Sequence, residues 1–317
     1  MKERIQKLLA QAGYGSRREI ERWIESGEIL VNNQVAELGQ QISATDKVVL
    51  RGKLLHLESR LRATPKVLLY HKKAGEVCTR NDPEGRPTVF DNLPHLRQGR
   101  WVMIGRLDVN TDGLLLFTTD GELANRLMHP SSEVEREYAS RVLGEVDAEM
   151  LHRLQSGVEL EDGPAHFLRI HDAGGEGANH WYHVVLAEGR NREVRRLWES
   201  QGVRISRLIR VRYGNISLPR YLRSGYHEEL EVRAIRKLYE SVGLTFDDGS
   251  LEEHQGSGGA VRPVHARPVR PATRGGHSDA ARPARPAAPY AANNRTKPSA
   301  RPGNNRPRPG AGGKRSV

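Results

Sequence analysis

The sequence predicts an α+β protein made of two folded domains and a basic tail. Two short helix-forming stretches precede short strands in the first 62 residues, strands and helices alternate from Val67 onward, and Arg, Pro and Gly dominate after residue 245. Alternation of this kind is typical of helices layered on a mostly antiparallel mixed sheet. We therefore predict a small domain at 1–62, a larger layered domain at 63–245 and a disordered Arg/Pro/Gly-rich basic tail at 246–317.

Composition limits the classes of function to be considered. The apolar content is sufficient for a sizeable core over most of the 317 residues. The single cysteine, Cys78, excludes an internal disulfide and does not favour a zinc site. There is no signal-like apolar run at the N-terminus and no stretch of about 18 apolar residues that could cross a membrane. We expect a cytoplasmic protein with no metal, no cofactor and no membrane partner.

Positive charge is concentrated in the tail. Residues 254–317 hold 13 lysines and arginines but one acidic residue, Asp279, and they hold 10 of the 17 prolines. This surplus of 12 positive charges exceeds the net charge of +11 of the whole chain, so the rest is nearly neutral. A segment with so few large apolar residues cannot offset its chain entropy, and we expect it to be disordered. It would serve either to attract phosphates without regard to sequence or to increase solubility.

Two helices are expected at the N-terminus. Apolar residues recur at helical spacing from Ile5 to Ala12, and Ser16 with Glu19 forms a capping box that opens a second helix. This second helix should end at Gly27. Its buried face should hold Ile20, Trp23 and Ile24. Short strands should follow at 28–31, near Val35 and at 48–50, with a turn at Asn32-Asn33.

A helical hairpin followed by small strands, with the string GYGSRREIERWIESGEILVNNQVA at 13–36, occupies residues 3–60. This segment resembles the S4 RNA-binding domain. In that family the second helix and the loop after it grip structured RNA by its shape and phosphates, which implies this role for Arg17, Arg18 and Arg22. Arg18 and Arg22 lie one turn apart, opposite the apolar stripe. The alternative is an ordinary solvated helix surface, which also carries three glutamates.

The larger domain should begin with an apolar strand at 67–70. Thr119 and Glu122 match the Thr-x-x-Glu pattern that caps a helix. The core face of that helix would hold Leu123, Leu127 and Met128. Further apolar patterns predict strands at 138–142, 165–170 and 181–186, and helices at 148–155 and 191–200.

The most informative stretch is GRLDVNTDGLLLFTTDG at 105–121. It places one carboxylate, Asp108, in a tight turn between two strands, where the side chain is fixed in place and open to a ligand. On the local pattern alone, a purely structural turn is the favoured interpretation. A second alternative is a hydrolase with paired carboxylates, Asp108 with Asp112 or Asp120, in the manner of glycosidases.

This stretch closely resembles the active-site motif of the small-subunit-type family of rRNA pseudouridine synthases, in which the Asp of GRLD is catalytic. The matching residue is Asp108. The loop DPEGRPTV at 82–89 also resembles a segment of that family. The resemblance extends from residue 3 to about residue 240.

Two further segments of that family are matched. EREY at 135–138 matches the segment with an active-site tyrosine, which implies this role for Tyr138. GRNREVRRL at 189–197 matches the segment that brings a basic partner to the aspartate, which implies Arg195, although Glu193 stands where many relatives have Gln. Without the resemblance, an ordinary strand aromatic is the favoured interpretation of the tyrosine, and a snorkelling residue at the edge of a helix stripe is an equally good interpretation of the arginine.

The resemblance implies conversion of uridine to pseudouridine. This reaction breaks the N1–C1′ bond, turns the base and rejoins it through C5, so it needs an ionised carboxylate and a pocket that retains uracil. An arginine near Asp108 would favour its ionised form, and the Tyr138 ring could stack on the base. The target base must leave its stack, and Arg106 is the residue implied to occupy the vacated place. Addition of the carboxylate to C1′ or to the base, and removal of a 2′ proton, are all compatible with the sequence.

Within the family, the motif spacing, the opening ERIQKLLA at 3–10 and the long basic tail most resemble enzymes that act on large-subunit rRNA. The expected partner is 23S ribosomal RNA, at a stem-loop near the peptidyl-transferase region, bound by a monomer. A sister enzyme with another target uridine is an alternative, because such enzymes share the motifs. A non-catalytic ribosome-assembly factor with the same fold is another, and the joint presence of Asp108, Tyr138 and Arg195 argues against it.

Overall fold

A computed structural model of the protein describes residues 2–176 and 179–247. The predicted basic tail therefore lies outside the described residues, apart from positions 246 and 247. In the described part, a small N-terminal domain is followed by a larger layered domain. The predicted fold class, α+β with a mostly antiparallel mixed sheet, is confirmed.

The N-terminal domain packs short helices on short strands. Its helices are α1 (Ile5–Gln11), α2 (Arg17–Glu25) and α3 (Leu57–Leu61). Its strands are β1 (Glu3–Arg4), β2 (Ile29–Val31), β3 (Gln34–Val35), β4 (Gln41–Ile42), β5 (Val48–Leu50) and β6 (Lys53–Leu54). One antiparallel sheet has the order β3-β2-β5-β6, and β1 pairs with β4. The predicted helices and strands of this region are present, and α3, β1, β4 and β6 are additions to them.

Local signals in the sequence explain both ends of α2. The Ser16 hydroxyl accepts a hydrogen bond from the Glu19 N–H, and the Glu19 carboxylate accepts one from the Ser16 N–H, which confirms the predicted capping box. Gly27, at φ +67°, follows the last turn as predicted. Trp23 was predicted to be buried but is only half-buried, because its ring lies at the domain edge with the Arg51 guanidinium 5.3 Å from its centroid.

The larger domain contains the remaining described elements. Its strands are β7 (Val67–Lys72), β8 (Val102–Ile104), β9 (Asp112–Thr118), β10 (Arg136–Leu143), β11 (Val158–Leu160), β12 (Gly163–Ala165), β13 (Arg169–Glu176), β14 (Asn179–Leu186), β15 (Arg204–Tyr213), β16 (Ile216–Ser217) and β17 (His227–Glu229). Its helices are α4 (Gly121–Met128), α5 (Ala148–Ser156), α6 (Glu193–Glu199) and α7 (Val232–Glu240).

The main sheet has the strand order β13-β14-β10-β15-β9-β7-β17, with β16 paired to β15 and β8 to β9. All strand pairings in this sheet are antiparallel except that of β9 with β15. This parallel pair is close-packed at Gly113, which has a φ of +110°. A Cβ atom there would lie 2.3 Å from the carbonyl oxygen of Arg210, so glycine is required for the approach.

Three apolar clusters surround the sheet. Helices α4 and α7 pack around Leu116, and α5 and α6 pack with β10, β14 and β15 around Trp198. The third cluster joins β7 and β9 to the loop before β8 around Phe117. Tyr138 packs against the second and third clusters, so it lies where the two meet.

The beginning and end of α4 differ from the prediction. Its N-cap is Asp120, whose carboxylate accepts a hydrogen bond from an N–H of the first turn at 2.7 Å. The hydroxyl of Thr119, the predicted cap, instead accepts a hydrogen bond from the Lys66 N–H at 2.9 Å, because β7 begins beside it. Met128 was predicted to be in the core but is 38% exposed, since it ends the helix at the rim of a cleft.

The strand predicted at 165–170 is not continuous. β12 ends at Ala165, β13 begins at Arg169, and between them the Phe167 N–H donates to the carbonyl of Leu154 in α5. Buried Phe167 followed by exposed Leu168 imitates strand alternation, but the phenyl ring is buried against α5 and α6. Strand β15, in the centre of the sheet, and helix α7 were not predicted.

The folded core extends past the predicted boundary at residue 245. The ring of Phe246 is buried, with its centroid 5.0 Å from that of Tyr239 in α7. The tail predicted at 246–317 therefore includes at least one residue, Phe246, that belongs to the folded core. Within residues 2–176 and 179–247, no helix has the length and apolarity that a membrane span requires.

Candidate active site

A cleft of about 960 Å³ opens beside the parallel pair of strands. Loop 105–111, residues from 186 to 195, and residues of β10 and β15 line it. The predicted site residues that line it are Arg106, Asp108, Tyr138 and Arg195. The fold thus brings together residues from three separate segments of the sequence.

Backbone hydrogen bonds hold Asp108 in a compact loop. The Asp108 carbonyl accepts a hydrogen bond from the Thr111 N–H at 3.1 Å. Next to it, Leu107 is buried and its N–H donates to the Sγ of Cys78 at 3.4 Å. The Asp108 side chain is half-buried at the cleft wall, and its carboxylate forms no hydrogen bond with another described residue. Its oxygens are therefore available to a ligand.

A buried lysine supports this loop. Lys72 has no exposed surface, and its Nζ donates to the carbonyl oxygens of Thr111 at 2.9 Å, Lys73 at 2.9 Å and Val109 at 3.3 Å. Burial lowers the pKa of the Lys72 ammonium, and nearby acidic groups, among them Asp108, act in the opposite direction. Sequence reasoning missed this residue, because its signal is only a lysine at the end of an apolar strand.

Arg195 reaches the same loop from α6. It is 9% exposed, and its guanidinium donates to the carbonyl oxygens of Asn110 at 3.0 Å and Ile205 at 3.3 Å. Burial lowers the pKa of the guanidinium, Arg192 adds to this effect, and Asp108 opposes it. The alternative of a snorkelling arginine is wrong, because these carbonyl oxygens draw the side chain inward.

Tyr138 and Arg210 are direct cross-strand partners on β10 and β15. Such partners have Cβ atoms about 4.5–5.5 Å apart on the same face of the sheet. Tyr138 is half-buried, whereas Arg210 is 2% exposed and its Nε donates to the carbonyl of Leu114 at 2.8 Å. Both line the cleft. The tyrosine was predicted and the arginine was missed, because its strand was not predicted.

A carboxyl pair, Glu188 and Glu193, also lines the cleft. Glu193 is 3% exposed and accepts a hydrogen bond from the Arg190 N–H at 3.0 Å, while the Arg190 guanidinium donates to Glu188 at 2.8 and 3.0 Å. Burial, followed by hydrogen bonding to Glu188, raises the pKa of Glu193 to about 7. A protonated Glu193 is neutral and can donate a hydrogen bond.

The remaining predicted residues are exposed. Arg106 lies at the rim of the cleft. Arg17, Arg18 and Arg22 are on α2 and do not line the cleft. Their three guanidinium groups form no hydrogen bond or ion pair with the residues that the structure describes. They are therefore available to an anionic partner.

The partners of the paired-carboxylate alternative do not lie in the cleft. Asp112 accepts a hydrogen bond from the Ala74 N–H at 2.6 Å, and Asp120 caps α4 and accepts one from the Tyr239 hydroxyl at 2.6 Å. Both carboxylates therefore have structural roles, and neither supplies the second acid of a glycosidase pair. Across 2–176 and 179–247, no group of three or more His, Cys, Asp or Glu residues is placed to hold a metal ion.

Sequence comparison gives the family. A family profile described as RNA pseudouridylate synthase matches residues 66–200, and one described as S4 domain matches residues 3–48. Proteins named ribosomal large subunit pseudouridine synthase B from Pseudomonas aeruginosa and Escherichia coli K12 are each 59% identical, over 243 and 246 residues. These alignments cover 76% and 77% of this chain, 63% of the Pseudomonas protein and 84% of the Escherichia protein.

A solved structure described as a pseudouridylate synthase gives the same fold. It matches 74% of this chain and 99% of its own length, with a TM-score of 0.53 and 24% sequence identity. This likeness supports the fold alone, whereas the 59% identity to the Escherichia protein establishes the relationship. The chain therefore belongs to the pseudouridine synthase family, in the group of the ribosomal large subunit pseudouridine synthases B.

Proposed function

We propose that the chain converts a uridine of large-subunit (23S) rRNA to pseudouridine and that Asp108 is the catalytic carboxylate. The observation that carries this proposal is the setting of Asp108. Its carboxylate lies at the cleft wall without a hydrogen bond to any other described residue, on a loop held by Lys72 and Arg195. A carboxylate fixed in this way keeps its position while its oxygens remain available to the substrate.

The reaction conserves atoms. The N1–C1′ bond breaks with its electron pair passing to the base, the base turns, and a C5–C1′ bond forms as C5 loses a proton and N1 gains one. Asp108 acts on the sugar or the base, and Arg195 supplies a positive charge near its carboxylate. The Tyr138 ring, at the junction of two apolar clusters, stacks on the uracil and retains it.

RNA binding is assigned to exposed cations. Arg17, Arg18 and Arg22 on α2 contact phosphates, and Arg106 at the rim takes the place that the target base leaves in its stack. In this proposal residues 1–62 position the RNA and residues 63–245, with Phe246, carry out the reaction. In the same proposal the protein acts in the cytoplasm, which cell fractionation tests. It acts as a monomer, which analytical sedimentation tests.

Substitution of Asp108 tests the catalytic assignment. Asp108→Asn keeps the shape of the side chain and removes the anionic oxygen, so pseudouridine formation should be abolished while RNA affinity stays within a few-fold. Asp112→Asn is the matched control, because its amide oxygen can still accept from the Ala74 N–H. Single-turnover conversion of an rRNA fragment, followed by mass-neutral base mapping, is the measurement. Turnover by Asp108→Asn, or equal loss in both variants, would contradict the assignment.

The target uridine needs a separate test. We propose a stem-loop near the peptidyl-transferase region, on the strength of the group to which the chain belongs. A strain that lacks its own enzyme of this group is complemented with this chain, and its 23S rRNA is mapped for pseudouridine. Restoration at one position in that region is expected. Restoration elsewhere would identify the chain as a sister enzyme, and an inactive protein would favour the assembly-factor alternative.

A further inference from the structure

Four buried polar atoms beside the cleft have no hydrogen-bond partner within the described residues. They belong to residues that line the cleft, and they are Thr111 Oγ1, Glu193 Oε1, Arg195 Nε and Arg210 Nη2. Buried polar atoms are nearly always hydrogen-bonded, so an unpaired one beside a cleft indicates the position of a ligand atom. Arg210 is the clearest case, because it carries a full charge at 2% exposure.

The position of Arg210 relates it to the proposed catalytic residues. It pairs across the sheet with Tyr138 on β10 and with Gly113 on β9, the strand that follows the Asp108 loop. Arg210 therefore lies between the strand that carries the tyrosine and the strand that begins just after the carboxylate. A base stacked on Tyr138 would lie next to the guanidinium.

The rest of the Arg210 side chain is held in place by the protein. Nε donates to the Leu114 carbonyl at 2.8 Å, and the guanidinium carbon lies 5.1 Å from the centroid of the Tyr213 ring. A planar guanidinium fixed at one nitrogen keeps its other donors in a constant direction. The guanidinium that lines the cleft is therefore a preoriented donor, and a buried cation of this kind is best matched by an anionic acceptor.

We propose that Arg210 is a catalytic residue whose guanidinium donates to a carbonyl oxygen of the target uracil and stabilises the negative charge on the detached base. This inference rests on the proposed function, since it requires a uridine in the cleft. When the N1–C1′ bond breaks, its electron pair is shared between N1 and the O2 and O4 atoms of uracil. A fixed donor at one of these oxygens binds the anionic base more tightly than the intact uridine, which lowers the barrier to cleavage.

Variants of Arg210 are tested with two RNA fragments, which carry uridine or 5-fluorouridine at the target position. Fluorine at C5 withdraws electrons and stabilises the anionic base, so departure of a fluorinated base depends less on the arginine. Consumption of the target nucleoside is measured in single turnover at saturating RNA, together with RNA affinity. The variants are Arg210→Gln and Arg210→Lys, and the control is Arg204→Gln, an exposed arginine on the same strand.

Arg210→Gln should slow consumption of the uridine substrate roughly 100-fold, as expected for loss of one preorganised donor, and leave RNA affinity nearly unchanged. The loss for 5-fluorouridine should be about tenfold smaller. Arg210→Lys keeps the charge, so it should slow consumption of uridine less than Arg210→Gln does. Its loss of rate should also be smaller for 5-fluorouridine than for uridine. If Arg210→Gln does not fold, the comparison of Arg210→Lys with the unsubstituted protein decides the question.

Equal losses for the two substrates would overturn the proposal and leave Arg210 a structural residue. A loss of affinity without a loss of rate would also overturn it, because that result indicates a phosphate contact. Unchanged rates in the Arg210 variants would overturn the proposal as well. Failure of the unsubstituted protein to convert uridine would instead refute the proposed function, so the two failures are distinguishable.

Discussion

Two regions of this molecule use arginine in opposite ways. In the cleft, Arg195 and Arg210 are less than one-tenth exposed and donate to backbone carbonyl oxygens. On α2, Arg17, Arg18 and Arg22 are exposed, and their guanidinium groups have no partner among the residues that the structure describes. Buried and bonded cations have fixed directions, which suits chemistry at one atom. Exposed cations can follow the phosphates of a flexible partner, which suits affinity.

The buried cations are balanced mainly by carbonyl oxygens. Lys72 donates to three of them, and Arg195 to two. Three of these five acceptors belong to residues 109–111, directly after Asp108. The charges in the cleft thus have a structural effect, since they hold the loop that carries the proposed catalytic carboxylate. No such coupling exists on α2, where a substitution should change RNA binding and leave the chemistry intact.

Lys72→Met should have the largest effect in this comparison. Methionine fills the space but removes three hydrogen bonds from a charged donor, which contribute about 1.5–3 kcal/mol each, although the Val109 carbonyl still accepts from the Gly75 N–H. We expect a clear loss of unfolding free energy and at least a roughly 100-fold loss of single-turnover rate, because the Asp108 loop loses its support. Lys73→Met, at the adjacent exposed position, is the control. Normal rates in Lys72→Met would show that Arg195 alone is sufficient to hold the loop.

Charge reversal on α2 should have a smaller effect of a different kind. Arg18→Glu combined with Arg22→Glu should raise the RNA concentration for half-maximal rate roughly tenfold and leave the saturated rate unchanged. The dependence of log affinity on log salt should flatten by about 0.7 to 0.9 for each phosphate that is no longer neutralised. Arg204→Glu with Arg223→Glu, exposed on the larger domain, gives the same change in net charge. If this control weakens binding equally, net charge and not the α2 face is responsible.

The difference between local and long-range contacts explains what could be predicted from the sequence. The ends of α2 follow from local signals, because Ser16, Glu19 and Gly27 act on neighbouring backbone groups. Strand β15 was missed because its arginines interrupt the apolar pattern, and nothing local shows that Arg210 is buried. Its acceptor, the Leu114 carbonyl, comes from a distant strand.

The candidate site was only partly accessible to such reasoning. Asp108, Tyr138 and Arg195 were found because they match family segments, not because periodicity or spacing indicates their roles. The fold brings all three to one cleft. Lys72 could not be found in this way, because its burial depends on carbonyl oxygens of a loop that is remote in the sequence. Buried charges are therefore the part of a site that a single sequence reveals least.

Glu193→Gln should have the smallest effect of these substitutions. It should change the stability of the fold only at a pH above the ordinary pKa of a glutamate. The pKa of Glu193 is raised to about 7 in the folded protein, so the folded state holds a proton that the unfolded state has already lost. Stability must therefore fall as pH rises from the ordinary pKa towards 7. Glutamine remains neutral, so the variant should match the unsubstituted protein near about pH 4 and have the higher melting temperature near about pH 8.5.

Glu188→Gln is the control, and it should give a smaller gain in melting temperature, since it removes the neighbouring charge but leaves Glu193 buried. A melting-temperature difference that does not change with pH would show that Glu193 is not protonated in the folded protein. Glu188 and Glu193 would then both be charged and held by ion pairing with Arg190.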